Sequence, residues 1–338
     1  FGEYDTSMVK LDGDKVRRVF EWIDSREEPF FLFWHTFEVH APYVAPHFLG
    51  DVLPRDRARA LGERLENLPE KGGWKQVRQA KRVMRAHDAY SAEVTRALYD
   101  GGVRSFDRWQ GELLDFLEAR GLDERTIVVL TSDHGEQLGD DGRPAPYGDG
   151  FYNVHGHTLY EEMVRVPLII RLPGQREGRR IEAVTASIDV MPTLLDLLGL
   201  PSPPEVQGQS LRPLWENATA WTPRAALSES LSEDEEKKGL RDERHKLVVT
   251  IDPATVEATG RSHLPPDPAA ALYDLAHDPG EQQDLLSSPD DDDAHRRGMG
   301  MEEVVRRRLG VVGQGEEAVV SAVGRGGLWA VGCVEGRR

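Results

Sequence analysis

Apolar residues recur along the chain at two spacings, and the alternation between them lays out the expected elements. Val16, Val19, Phe20 and Ile23 fall three and four residues apart, which predicts a helix over 14–25. Pro29 follows, and Phe30-Phe31-Leu32-Phe33-Trp34 reads as a buried strand. Residues 51–80 mix Arg and Glu around Lys71-Gly72-Gly73 and predict a surface insertion with helical pieces. From about 81 to 120, Tyr90, Val94, Leu98, Phe106, Leu113, Leu114 and Leu117 make a long helical stripe. Gly101-Gly102 is expected to break or kink it. After Gly121 comes Thr126-Ile127-Val128-Val129-Leu130, a β-branched run of the kind buried in parallel sheets.

The second half repeats the theme. Leu168-Ile169-Ile170 predicts another buried strand, and Thr185–Leu200 a strand or loop leading into an amphipathic helix stopped by Gly199. Residues 228–243 are charged and expected at the surface. His245–Ile251 reads as a strand of a smaller sheet, and Leu272-Tyr273-Asp274-Leu275 as a further strand end after a Pro-rich loop over 259–271. Ser287–Gly300, with its acidic run Asp290 to Asp293, has the composition of a disordered segment. The expected fold class is α/β, a mostly parallel central sheet flanked by helices, with a smaller C-terminal α+β part. The expected division is 1–215 for the α/β domain, 216–286 for the smaller part and 287–338 for a disordered or irregular tail.

Composition narrows the function classes. The chain has 338 residues, of which 39% are hydrophobic and 30% charged, and a formal net charge of −17. Such a charge argues against coating nucleic acid, which needs a basic face, but leaves room for an anionic small substrate at a local positive site. No apolar run is long enough to span a bilayer. The one cysteine, Cys333, allows no intrachain disulfide and does not exclude export. The chain starts at Phe1 without a leader, so compartment is open: periplasmic, extracellular and cytoplasmic locations all remain.

Candidate chemistry sits at the ends of the expected strands. Asp133-His134-Gly135 follows the Thr126–Leu130 run, where open α/β sheets place their ligands. Aspartate and histidine both bind divalent cations. His35 and His40 follow the Phe30–Trp34 run. His155 and His157 flank Gly156 in a second histidine-rich loop. Imidazoles there can donate to an anionic oxygen or act as general acids. His35 reads as a loop histidine satisfied by backbone, and Asp189 as a helix-capping turn residue. A metal and imidazoles gathered around an anion suggest ester hydrolysis at sulfur or phosphorus, and composition does not choose between them.

Six blocks in order carry a resemblance. They are Phe30-Phe31-Leu32-Phe33 with His40-Ala41-Pro42-Tyr43; Thr126 through Glu136; Thr158-Leu159-Tyr160-Glu161 with Arg165 through Ile170; Asp189 through Asp196 with Gly199; Gly208-Gln209-Ser210-Leu211; and Leu272-Tyr273-Asp274-Leu275 with Asp278-Pro279-Gly280-Glu281. Over roughly residues 15–286 the chain resembles the sulfatase family of the alkaline-phosphatase-like superfamily. The resemblance implies a metal-dependent sulfuric ester hydrolase acting on a sulfate-ester small molecule or sulfated carbohydrate. It makes Asp133 and His134 ligands of one divalent metal, usually calcium in the family, with manganese or zinc as alternatives. His40 matches a histidine that contacts the substrate's sulfate. The family's sulfate-contacting lysine aligns with Gly156, so His155 or His157 is expected to replace it.

The family's first metal-ligand pair and its C/S-x-P-x-R motif, source of a formylglycine nucleophile, have no match in residues 1–40. Cys333-Val334-Glu335-Gly336-Arg337 has the spacing without the proline, at the wrong end of the chain. The expectation is an N-terminally truncated sulfatase, inactive as this fragment. Two alternatives stand beside it: a phosphonate or phosphate ester hydrolase of the same superfamily, and a non-catalytic sulfatase-like protein.

Overall fold

The computed structural model describes residues 11–68, 74–139, 155–216, 218–231, 236–251, 269–288 and 291–308. Most of the loops expected over 137–153 and 259–271, together with Asp290, Cys333 and the segment 309–338, lie outside the described residues. Two compact units divide the chain. The first is Phe1–Leu130, Gln137–Asn153 and Ile169–Arg176; the second is Thr131–Glu136, Val154–Leu168 and Glu177–Arg338.

In the first unit, helix α1 (Gly13–Asp24) starts at Asp12, whose carboxylate accepts the Lys15 amide at 2.8 Å. Its predicted stripe is the buried one: Val19 and Ile23 pack with Leu113 and Leu117. Those leucines belong to a long helix, which follows three shorter ones here named α2 (Leu49–Val52), α3 (Arg55–Glu66) and α4 (Trp74–Ala86); the long one is α5 (Ala92–Ala119). The charged stretch 51–80 is therefore not a mere surface insertion. Leu49, Leu61, Leu65, Ala80 and Met84 form a core with Val94 and Leu98. Few residues carry that stripe, so its charged neighbours mask it in sequence. Each leucine so buried contributes roughly 1.5–3 kcal/mol.

The expected break at Gly101-Gly102 is also absent. α5 runs through both glycines, and the interruption lies between Ala86 and Ala92 instead. The glycines serve close approach: a Cβ on Gly101 would lie 2.1 Å from the Ala45 carbonyl oxygen, and one on Gly102 3.0 Å from that of Glu38. Thus α5 supports the loop that carries His40. At its far end Gly121 takes φ +63 and the Leu122 amide reaches back to the Leu117 carbonyl at 2.9 Å, a left-handed stop.

Strands β1 (Val128–Thr131) and β2 (Leu168–Arg171) pair in a two-stranded sheet. Contrary to the expected deep burial, both are half-buried, and Ile169 is 59% exposed. The Phe30–Trp34 run is not a strand in the structure. Phe30, Leu32 and Trp34 pack on the α1–α5 cluster, while Phe31 and Phe33 are exposed. A one-sided extended segment looks like a buried strand in sequence when both of its faces are aromatic.

The second unit holds short helix α6 (Glu161–Val164), helix α7 (Val190–Leu197), short helix α8 (Pro213–Glu216) and an antiparallel sheet of β3 (Ala226–Leu231), β4 (Glu236–Arg241), β5 (His245–Ile251) and β6 (Ala269–Asp274) in sequential order. β5 spans the predicted residues. Residues 228–243, expected as exposed charge, instead supply β3 and β4. Their alternation is hidden because buried Lys238 is neutralised by Glu229 and, at 2.5 Å, Glu236. The tail expected to be disordered from 287 contains helix α9 (Asp292–Arg308). Its Ala294, Met301 and Val305 pack on Leu240, Leu247, Val249 and Leu272. The acidic run that signalled disorder serves as the helix start: the Asp291 carboxylate accepts the Ala294 amide at 2.9 Å, and Asp292 and Asp293 occupy the first turn.

Among the described residues, no helix is long and apolar enough to cross a membrane. Asp189 is fully buried and accepts from the Ala186 and Gln209 amides, both at 2.9 Å, and from Arg224. It ties the start of α7 to later turns, as a structural residue does.

Candidate active site

The stretch Thr131–Glu136 is fastened by its backbone. The Gly135 amide donates to the Met163 carbonyl at 2.8 Å and the Glu136 amide to that of Glu162 at 3.1 Å. A Cβ at Gly135 would sit 1.9 Å from the Glu162 carbonyl oxygen, so only glycine lets these two backbones meet. Ser132 Oγ donates to the His134 carbonyl at 2.7 Å, and the Asp133 carboxylate accepts the His134 amide at 3.1 Å. The turn is held before any ligand arrives.

Its imidazole has a defined tautomer when neutral. His134 Nδ1 lies 2.7 Å from the Gly135 carbonyl oxygen. A carbonyl only accepts, so Nδ1 carries the proton and Nε2 the lone pair. That Nε2 is 3.8 Å from Asp133 Oδ1. A backbone carbonyl orienting one nitrogen while the other meets a cation is the usual support of a ligating histidine. The oxygen and nitrogen donors fit a divalent cation such as calcium, manganese or zinc.

His155 stacks on His134, with ring centroids 4.0 Å apart and planes at 25°. Its Nδ1 is 3.3 Å from Glu136 Oε1, and that carboxylate is buried. The hydrogen bond to Glu136 holds the His155 pKa above the ordinary histidine value, against the opposing effect of burial. His157 behaves oppositely. Burial first, and then the positive charge of Lys237, push its pKa down. Two imidazoles two residues apart are thus shifted in opposite directions, toward the cationic form at 155 and toward the neutral form at 157.

His40 lies in the first unit. Its Nδ1 is 2.7 Å from the Ala41 carbonyl oxygen, and its ring packs edge-on against Phe37 at 5.2 Å. The same tautomer logic places the lone pair on Nε2. His35 packs against Phe37 at 4.8 Å. So Asp133, His134, His155 and His157 come together within the second unit, with His40 described separately. Sequence reasoning missed two charged residues here. Glu136 was visible beside the Asp133-His134-Gly135 motif, but nothing linked it to His155. Lys237 left no local signal, because its position depends on the β3–β4 pairing.

Comparison with known proteins shows the family and the fold. The Sulfatase family model matches residues 8–200, and a model for the C-terminal region of N-sulphoglucosamine sulphohydrolase matches 150–297. An endo-4-O-sulfatase of Bacteroides thetaiotaomicron is 30% identical over 207 residues, covering 55% of this chain and 36% of the relative. A solved structure of a protein in complex with its substrate D-glucosamine-2-N,6-O-disulfate superposes with TM-score 0.59 at 19% identity, over 87% of this chain and 68% of the other. A phosphonate monoester hydrolase from Silicibacter pomeroyi superposes with TM-score 0.54 at 22% identity, over 91% and 65%. At these identities the superpositions show the fold, which is α/β of the alkaline-phosphatase-like kind. The chain spans about a third of the length of the first curated relatives it matches. With more than half of its residues inside the family model, the chain belongs to the sulfatase family.

Proposed function

We propose that the protein carrying this chain is a metal-dependent sulfuric ester hydrolase acting on sulfated carbohydrates or small sulfate esters. The observation that carries this is the second unit's cluster: the Asp133 carboxylate, the oriented His134 ring and the Glu136-held His155, all on segments matched by the sulfatase model. Asp133 and His134 would hold the divalent metal. Calcium is the proposed ion, with manganese or zinc the alternatives that an imidazole ligand favours. When bound, the metal supplies positive charge that offsets negative charge on the sulfate oxygens. His155, biased toward its cationic form, donates to a sulfate oxygen or protonates the departing alcohol. His157, biased neutral, is suited to accept a proton. For His40, a contact to the sulfate rests on the family resemblance. The relatives' names support sulfur, since the endo-4-O-sulfatase is among them.

The test uses the full-length protein. Rates on 4-nitrophenyl sulfate, 6-sulfated glucosamine, 4-nitrophenyl phosphate and a phenylphosphonate ester are compared before and after chelation, with calcium, manganese or zinc returned singly. Sulfate esters are expected to turn over fastest, with activity lost on chelation and restored by one ion. Asp133→Ala and His134→Ala should each lower activity at least a hundredfold and weaken binding of the restoring ion. Faster phosphonate or phosphate turnover overturns the sulfate reading, and full activity after chelation overturns the metal.

A further inference from the structure

The loop His155-Gly156-His157 does not stand alone. Ser230 of β3 donates its hydroxyl to the Gly156 carbonyl, which fixes the loop against the β3–β4 hairpin. In the antiparallel register Ser230 lies directly opposite Lys237. Directly paired residues project their side chains to the same face of a sheet, with Cβ atoms roughly 5 Å apart. Since Ser230 points at the loop, Lys237 leaves the hairpin on the loop's side, on a flexible four-carbon stem that ends in three donors. The neighbouring Lys238 projects to the other face, where Glu229 and Glu236 neutralise it. The depressed pKa of His157 agrees with this placement, because the charge of Lys237 is among its causes.

We propose that Lys237, delivered from β4 by its pairing with Ser230, contacts an anionic oxygen of the substrate beside His155 and His157. This assignment rests on the oxyanion-ester reading of the site given above. Lys237 acts in binding: a charge-assisted hydrogen bond to an oxyanion fixes the group that reacts. Lys237→Arg keeps the charge and donors, and Lys237→Met keeps most of the stem while removing both.

Inorganic sulfate and inorganic phosphate are titrated calorimetrically into the full-length wild type and both variants, with thermal melts confirming that each variant is folded. Sulfate affinity is expected to fall about tenfold or more in Lys237→Met, and to stay within about threefold in Lys237→Arg. A folded Lys237→Met that binds sulfate as the wild type does overturns the role of Lys237 and leaves the sulfate reading intact. Tighter phosphate binding that is lost in Lys237→Met supports Lys237 and overturns the choice of sulfur. A wild type that binds neither anion overturns both.

Discussion

Two groups of charged side chains in the second unit are built on opposite plans. Around Glu161 the charges are consumed. Lys246, almost fully buried, lies 3.2 Å from Glu161 and 2.9 Å from Glu281, and Arg241 reaches Glu161 at 3.2 Å. The Glu281 carboxylate also accepts the Glu161 amide at 2.6 Å. Around Asp133 the side chains are half-buried and lean on the backbone, so that Asp133 and His134 are oriented by amide and carbonyl groups. Opposite charges that satisfy one another hold a fold. Charged and polar groups positioned by neutral backbone keep their capacity for a ligand.

The largest effect expected from breaking this contrast is at Lys246. Lys246→Ala removes the cation paired with buried Glu281 and leaves Glu161 with Arg241, which costs about 3–5 kcal/mol. Burial already holds the Glu281 pKa above the carboxylate norm, so the loss of the lysine would favour its protonation. Urea unfolding at neutral pH measures the loss, and a change under about 1 kcal/mol would remove the hub from the account of stability.

Next in size is Gly135. A methyl group there collides with the Glu162 carbonyl oxygen, a rigid backbone atom. Gly135→Ala should destabilise by about 1–3 kcal/mol through the shift it forces. It should also lower activity of the full-length protein about a hundredfold, as Asp133 and His134 move off their positions. Melting temperature and turnover, measured together, separate the two. Wild-type activity in Gly135→Ala would show that the turn tolerates displacement and that its orientation is not what prepares the site.

The site was more legible in the sequence than the fold around it, for a physical reason. Asp133-His134-Gly135 and His155-Gly156-His157 are local motifs whose chemistry follows from residue type. β5 was equally plain, because Leu247, Val248 and Val249 form a short apolar run between polar ends. What escaped was set by distant partners. Lys238 looks exposed until Glu229 and Glu236 are beside it. Gly101 looks like a helix breaker until the Ala45 carbonyl oxygen is found against it. Asp291 to Asp293 look disordered until the packing of Met301 and Val305 makes a helix worth capping.

The smallest expected effect is the one that most sharpens the contrast, because Glu136 combines both plans: a buried carboxylate held by its own backbone that also pairs with an imidazole. In Glu136→Gln, His155 loses the partner that raises its pKa most, so the pKa should fall, with burial pushing it down against the remaining charge of Asp133. The sign of the stability effect follows. A histidine whose folded pKa is raised stabilises the folded state fully below the unfolded value, and that contribution disappears as pH rises through the folded value. The wild type should therefore exceed Glu136→Gln by the most near pH 5–6, by about 1 kcal/mol for a partly exposed charged hydrogen bond. The gap should narrow above the wild-type His155 pKa. Denaturant unfolding from pH 5 to 9 on metal-free protein gives the gap, and NMR titration of the His155 ring gives both pKa values. A gap that widened with pH would mean that Glu136 favours the neutral ring, and the division between a cationic His155 and a neutral His157 would then be lost.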